Sequence, residues 1–227
     1  MPGVQSVEDA QAIFGSDVLG PDEIASAFGA AAVAAVDRIP FSREELTAAH
    51  VAGEMLVLRV TQAATGVPLT ILQMVQRQPD VFDQKLLRKM GYQLKDEWGI
   101  ELEPSAATQT CTAGWALVRK SILDDSCNLA YEQQEACLQR YAKRRGLSSA
   151  VARRRSGVEV VYDTLLYFTA RQRRLLERTW DWSATRTVDG GYLNVGGFGS
   201  SGLQVLSFSR AIRHGALGLC PNWQATS

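Results

Sequence analysis

The chain has 227 residues, with 24 Lys and Arg set against 24 Asp and Glu, 46% hydrophobic residues and 21% charged ones. That length fits one domain with an appendage, and a core burying roughly 70% of the unfolded surface needs no disulfide or metal. The composition excludes a disordered chain, zero net charge argues against a dedicated nucleic-acid binder, and no apolar run reaches the roughly 18 residues of a membrane span.

In chain order, Pro21-Asp22-Glu23 supplies a helix start and an Ala-rich stretch follows to Val36. Residues 1–38 are therefore expected to form a helical N-terminal arm, ahead of a main domain over 39–227. No cationic leader or cleavage-site pattern accompanies it, which makes the cytoplasm the default compartment and leaves surface or virion display to another route. Ser42 with Glu45 reads as a capping box that opens a helix to about Ala52. Gly53 ends that helix, and residues 55–60 read as a short buried strand.

Pro68 and Leu69 start a further helix with Leu72, Val75 and Phe82 on its apolar side. Residues 83–92 form the next one, carrying Leu86, Leu87 and Met90. Residues 101–112 read as polar loop, 115–118 as a strand, and 131–144 as a helix closed by Lys143, Arg144, Arg145 and Gly146. Arg153-Arg154-Arg155 reads as a solvated linker. An amphipathic helix over 158–176 follows, with Val161, Leu165, Phe168 and Leu175 toward the core.

The character changes at Trp180. Short strand-like runs cover 180–187, 192–197, 202–207 and 216–220, separated by the turn sequences Asp189-Gly190-Gly191 and Gly199-Ser200-Ser201-Gly202. Leu193 and Val195 flank Asn194, and Leu203 and Val205 flank Gln204, as in strands with one face in a core. The expected fold class is α+β, with helices first and an antiparallel meander at the end.

Residues able to carry chemistry are few. Cys111, Cys127, Cys137 and Cys220 lack zinc-knuckle spacing and read as free thiols packed as small hydrophobes. Only His50 and His214 are present, and His50 reads as a helix-end residue.

Trp180-Asp181-Trp182-Ser183, Thr185-Arg186, Asp189-Gly190, Val195-Gly196-x-Phe198, Gly202-Leu203-x-Val205 and Leu217-Gly218-Leu219-Cys220 follow one another in a recognisable order. Upstream, Trp115-Ala116-Leu117-Val118, Asn128-x-x-Tyr131-x-Gln133 and Val158-x-x-x-Tyr162-Asp163-x-Leu165-Leu166-Tyr167 extend it. Together they resemble the variable proteins of diversity-generating retroelements, which have a C-type lectin fold related to formylglycine-generating enzymes. The resemblance spans residues 115–221 closely and 39–82 loosely, and leaves out the N-terminal arm. It implies a C-type lectin-like domain whose core stays constant while a surface patch, within about 192–220, is rewritten. A reverse transcriptase would act on the gene, not on the protein.

Under that resemblance Leu193, Val195, Leu203, Val205, Leu217 and Leu219 form the scaffold. The ligand-binding patch is expected at Tyr192, Asn194, Gly199, Ser201, Gln204, Leu206, Ser207, Phe208, Ser209, Arg210, Ile212, Arg213 and His214. Phe208 and Ile212 would be apolar anchors, with Arg210, Arg213 and His214 supplying charge and hydrogen bonds. Trp180, Trp182 and Phe198 are expected as buried packing. Mutating the adenines of an Asn codon that ends in a pyrimidine cannot yield Met, Lys, Glu, Gln or Trp, and residues 206–216 contain none of these. The same irregular mixture of aromatic and arginine side chains suits a protein-binding surface without any family argument.

Three competing functions are weighed against this binder. Calcium-dependent sugar binding needs about six to eight oxygen ligands, and only Asp181 and Asp189 are at hand. A formylglycine-generating oxidase needs paired thiolates for copper, and Cys220 has no second cysteine near it in sequence. A structural or nucleic-acid-associated role would use Lys143-Arg144-Arg145 and Arg153-Arg154-Arg155. The expectation is a binder of an unknown protein or surface ligand, without catalysis, cofactor, metal or membrane span.

Overall fold

Two sheets share the strands of this chain, and one helix packs against both of them. The computed structural model describes residues 6–29, 38–88, 99–147 and 152–224, and over these the fold is α+β.

The N-terminal segment is built into the core. Helix α1 (Val7–Phe14) starts at Ser6, which exchanges hydrogen bonds with Asp9. Strand β1 (Val18–Leu19) then leads into α2 (Pro21–Phe28), where the Glu23 carboxylate accepts from the Gly20 N–H at 2.9 Å. Ala10, Phe14, Val18, Leu19, Ile24 and Phe28 are all buried, and Phe28 stacks on Tyr162 at 5.1 Å. Residues 6–29 are thus part of the domain rather than an appended arm. The Ala-rich residues 30–36 lie outside the described residues.

Helix α3 (Arg43–Val51) has the expected capping box, with Ser42 N donating to Glu45 at 2.7 Å. Strand β2 (Glu54–Arg59) is buried at every position. Helix α4 (Ile71–Arg77) starts later than the Pro68 signal, capped by Thr70, because Pro68 closes a small loop through a bridge to Gln62. Phe82 is not on that helix; it bridges to Leu203 instead. Helix α5 (Gln84–Leu87) is short, and Met90 lies outside the described residues. The expected loop at 101–112 contains α6 (Pro104–Thr108), started by its proline. Strand β3 (Gly114–Arg119) follows, and then a tight 3-10 turn (Tyr131–Gln134) runs into α7 (Glu135–Arg144).

Strand β4 (Ala152–Arg154) and helix α8 (Gly157–Arg171) replace the solvated linker and amphipathic helix read from the sequence. Helix α8 is buried all round from Gly157 to Tyr167, and it stops at Gln172, whose φ is 53°. It has no solvent-facing side over these residues because α2, α4 and both sheets surround it.

The strands are not confined to the C-terminal part. The first sheet has the order β1-β2-β3-β9-β4, where β9 (Pro221–Gln224) runs antiparallel to both neighbours. The second has the order β7-β6-β5-β8. Its β5 (Trp180–Arg186), β6 (Tyr192–Gly199) and β7 (Gly202–Phe208) form the expected antiparallel meander. Strand β8 (Leu217–Gly218), expected to extend it, instead lies parallel to β5 on the opposite edge. Gly202 opens β7 at φ 111°, where a Cβ would come within 2.5 Å of the Phe82 carbonyl carbon. Only glycine fits both the angle and the approach.

The arginine run is the clearest departure from the sequence reading. Arg155 and Arg154 are buried, and Arg155 bridges Asp163 on α8 (2.9 Å) to Asp181 on β5 (2.8 Å). Arg59, at the end of β2, donates to both carboxylate oxygens of the same Asp163 at 2.9 and 2.6 Å and to Asn222 of β9 at 3.0 Å. Arg153 forks onto Glu159 at 2.8 and 2.6 Å. Buried charges persist only when paired this fully. Burial alone would raise the Glu159 carboxyl, yet Arg59, Arg153 and the Ser156 N–H hold it well below the usual carboxylate range. Burial pushes Asp181 upward against the pull of Arg155.

Two outcomes are expected. Replacing Arg155 by Met leaves two carboxylates short of a partner and should cost about 3–5 kcal/mol in denaturant unfolding; an unchanged midpoint would contradict the cluster. Glu159 has a lowered pKa, so its contribution is present at neutral pH, starts to fall as pH drops below the ordinary carboxylate value and is lost as pH passes the lower value of the folded state. The stability gap between the wild type and Glu159→Gln should therefore narrow on acidification.

Candidate functional site

Successive side chains of a strand point to opposite faces, so the register of the second sheet sorts its residues in two. Ser183, Leu193, Val195, Leu203 and Val205 point inward, with Leu193 lying against Gly157 of α8. Trp182 pairs with Asn194 and Asn194 with Leu206; Trp180 pairs with Gly196 and Gly196 with Gln204; Tyr192 pairs with Phe208. These rows form the outer face.

Strands β7 and β8 lie on opposite edges, so residues 209–216 must cross the sheet. Three inter-strand gaps are about 14 Å, within the reach of an eight-residue segment. The crossover passes over the outer face: the His214 ring meets the edge of Trp180 at 6.1 Å, and Trp180 N donates to Ala216 O at 2.8 Å. Two backbone bonds clip it from the side, Tyr131 N to Arg210 O at 3.0 Å and Asn128 N to His214 O at 3.1 Å.

Tyr131 seals the flank. Its ring stacks on Tyr192 at 3.9 Å, meets Trp182 edge-on at 5.2 Å and lies under the Arg154 guanidinium at 4.1 Å. Its hydroxyl donates to Ser183 O at 3.2 Å, and burial pushes its pKa up to about 12.

Of the residues expected in the patch, Tyr192, Gln204 and Phe208 are half-buried on the outer face. Ser209, Arg210, Arg213 and His214 are exposed on the crossover, with Ile212 half-buried among them. Arg210 lies 3.4 Å from Glu132, a surface pair worth little. Gly199 and Ser201 sit at the β6–β7 turn, beyond the face.

Three expected positions are corrected. Asn194 and Leu206 lie on the outer face but are buried. Ser207 points inward, tied to Thr187 at 2.8 Å and Asp189 at 3.0 Å. Trp182 and Phe198 are buried as expected, whereas Trp180 is half-buried at the rim. The sequence reading left Tyr131, Asn128, Arg154 and Arg186 out of the patch. Tyr131 and Asn128 stand in the upstream motif Asn128-x-x-Tyr131-x-Gln133, but their place in the chain gave no sign that they reach the outer face of a sheet about fifty residues later.

The competing chemistries find little here. Asp181 is engaged by Arg155 and the Cys220 N–H, and Asp189 closes its own turn with Thr187, Ser207 and the Gly191 N–H. Among the described residues no three His, Cys, Asp or Glu side chains cluster as a metal site would require. Cys111 and Cys220 are fully buried, and burial raises both thiols well above their usual range, away from the thiolate form. Of the basic runs, Arg154 and Arg155 are buried and the half-exposed Arg153 is paired with Glu159; Arg144 and Arg145 line a cleft of about 390 Å3 with Arg119, Tyr141, Asp124 and Asp125. Mixed charge there gives it no single-sign field. Among the described residues no helix is long and apolar enough to cross a membrane.

The two kinds of position should separate by mutation. Trp182→Ala is expected to cost about 3–5 kcal/mol in unfolding free energy, while Arg213→Ala should stay within about 0.5 kcal/mol. Equal costs would mean that the crossover is as much a part of the core as the sheet. Set against family models, curated proteins and solved structures, the chain has no match in any of the three.

Proposed function

We propose that this chain is a ligand-binding protein whose surface patch is diversified by a retroelement, carried on a C-type lectin-like domain, with a protein or cell-surface molecule as ligand. The partition of the second sheet carries this reading. Leu193, Val195, Leu203 and Val205 are fully buried on one face, while the segment that returns across the other face presents Ser209, Arg210, Arg213 and His214 to solvent. Substitutions at such exposed positions cost little, whereas truncating a buried aliphatic side chain costs about 2–5 kcal/mol. A patch of this kind can be rewritten without rebuilding the fold.

Its chemistry suits recognition. Tyr192 and Phe208 offer aromatic area beside the guanidiniums of Arg186, Arg210 and Arg213, the side-chain types enriched where proteins meet. The absence of Met, Lys, Glu, Gln and Trp from residues 206–216 agrees with mutagenesis of Asn codons. The domain acts as a binder with no catalytic step and no cofactor, and the reverse transcriptase meets only the gene.

Sequencing the 3′ end of the gene across a source population tests this. Variation should gather at the codons for residues 208–214, spare those for Leu193, Val195 and the inward Ser207, and match the adenines of a nearby near-copy. Codons over 208–214 as constant as those of Leu193 and Val195 would reject diversification.

A further inference from the structure

Beneath the crossover, the outer face holds polar atoms that the fold itself leaves unsatisfied. Trp180 Nε1, Trp182 Nε1 and both Asn194 side-chain atoms are buried without a hydrogen-bond partner. Trp182 and Asn194 are fully buried and are direct cross-strand partners, and Trp180 lies two residues along the same strand on the same face. A buried donor without an acceptor carries its whole desolvation penalty, so a ligand group that supplies acceptors gains that penalty back. An indole N–H can only donate, and the Asn194 amide adds two N–H donors with one acceptor. The set therefore asks for acceptors, four N–H donors against one carbonyl oxygen.

Charge above it points the same way. Arg186, Arg210, Arg213 and His214 are exposed around this face; the exposed Glu132 lies against Arg210, and the exposed Glu135 lies farther out, beside Tyr131 and Arg154. Between its clips at Arg210 and His214 the crossover makes local bonds to Ser209, Ile212 N to Ser209 O at 3.0 Å and Ala211 N to Ser209 Oγ at 3.5 Å. Residues 211–213 can lift without breaking a sheet hydrogen bond.

We propose that the ligand is an acidic polypeptide segment, one of whose carboxylates passes under residues 211–213 and accepts from the Trp182 and Trp180 indoles and the Asn194 amide, while further carboxylates pair with Arg210 and Arg213. This rests on the binding-face reading and names its partner. It also assigns Asn194 and Trp182 a role that their burial conceals: they are the floor of the site, and the crossover is its strap.

The test uses the intact 15N-labelled chain and two probes, hexaglutamate and hexalysine, followed through the indole N–H signals. Trp223, whose indole donates to Glu54 at 3.2 Å, serves as internal control. Hexaglutamate should move the Trp180 and Trp182 signals saturably and leave Trp223 in place, and hexalysine should move none. Trp182→Phe, which keeps the ring and removes the N–H, should weaken hexaglutamate binding about tenfold, a loss of one hydrogen bond to a charged group. Arg210→Ala with Arg213→Ala should weaken it and flatten its salt dependence. Shifts confined to backbone amides of 209–214, with both indoles unmoved, would overturn the under-strap site and leave the binding face standing. No shift with hexaglutamate, or equal shifts with hexalysine, would overturn the acidic partner. Failure of the binding-face reading itself would appear separately, as constant codons in the population.

Discussion

Asp163 is where the structure is tied together. It sits on α8, the helix that both sheets pack against, and it is shared by Arg59 from the first sheet and Arg155, which also reaches Asp181 in the second. Three guanidiniums and three carboxylates meet around the first turns of this helix: Arg59, Arg153 and Arg155 with Glu159, Asp163 and Asp181. Apolar packing would hold these elements together in several relative positions. Forked hydrogen bonds between charges tolerate few, since a small slip leaves a buried ion unpaired. The cluster thus fixes the angle at which the second sheet presents its outer face.

That rigidity permits the freedom of the crossover. Strands β5 and β6 are held from the inner side by α8 and β7 by α5, and Tyr131 braces the outer side through Tyr192 and Trp182. The sheet's shape does not depend on which side chains residues 209–214 carry. Their backbone is clipped at two points by the 128–131 segment, and those bonds involve main-chain atoms alone. Holding a segment by its backbone leaves its side chains free to differ.

Features set by neighbouring residues were legible in the sequence. The Ser42 capping box, the hairpin turns around Gly190 and Ser200, and the alternation of Leu193 and Val195 with Asn194 all follow from local chemistry, and they placed the meander and its inward residues. Arg153-Arg154-Arg155 was misread because its partners, Arg155 with Asp163 and Asp181 for instance, are far off in the chain, and a solvated and a paired arginine run look identical in sequence. Asn194 and Leu206 were placed on the correct face, yet their burial comes from what covers it, which no strand pattern records. Ser207 was assigned outward with its neighbours although the period of two sends it in with Val205. Strand β9 is short and starts with proline, tolerated at the first position of a strand, so it gave little pattern to find.

Strand β9 also carries a consequence for synthesis. It lies between β3 and β4, in the interior of the first sheet, yet it comes after the crossover in the chain. While residues 209–216 emerge from the ribosome, β3 and β4 still expose facing edges, Arg59 lacks Asn222 and the indole of Trp223 has not reached Glu54. The first sheet closes only after residues 209–216 have been translated in frame. A frameshift or a stop within 209–216 would leave that sheet unclosed, so folding itself would act as a reading-frame check that tolerates altered side chains there and rejects shifted or truncated chains.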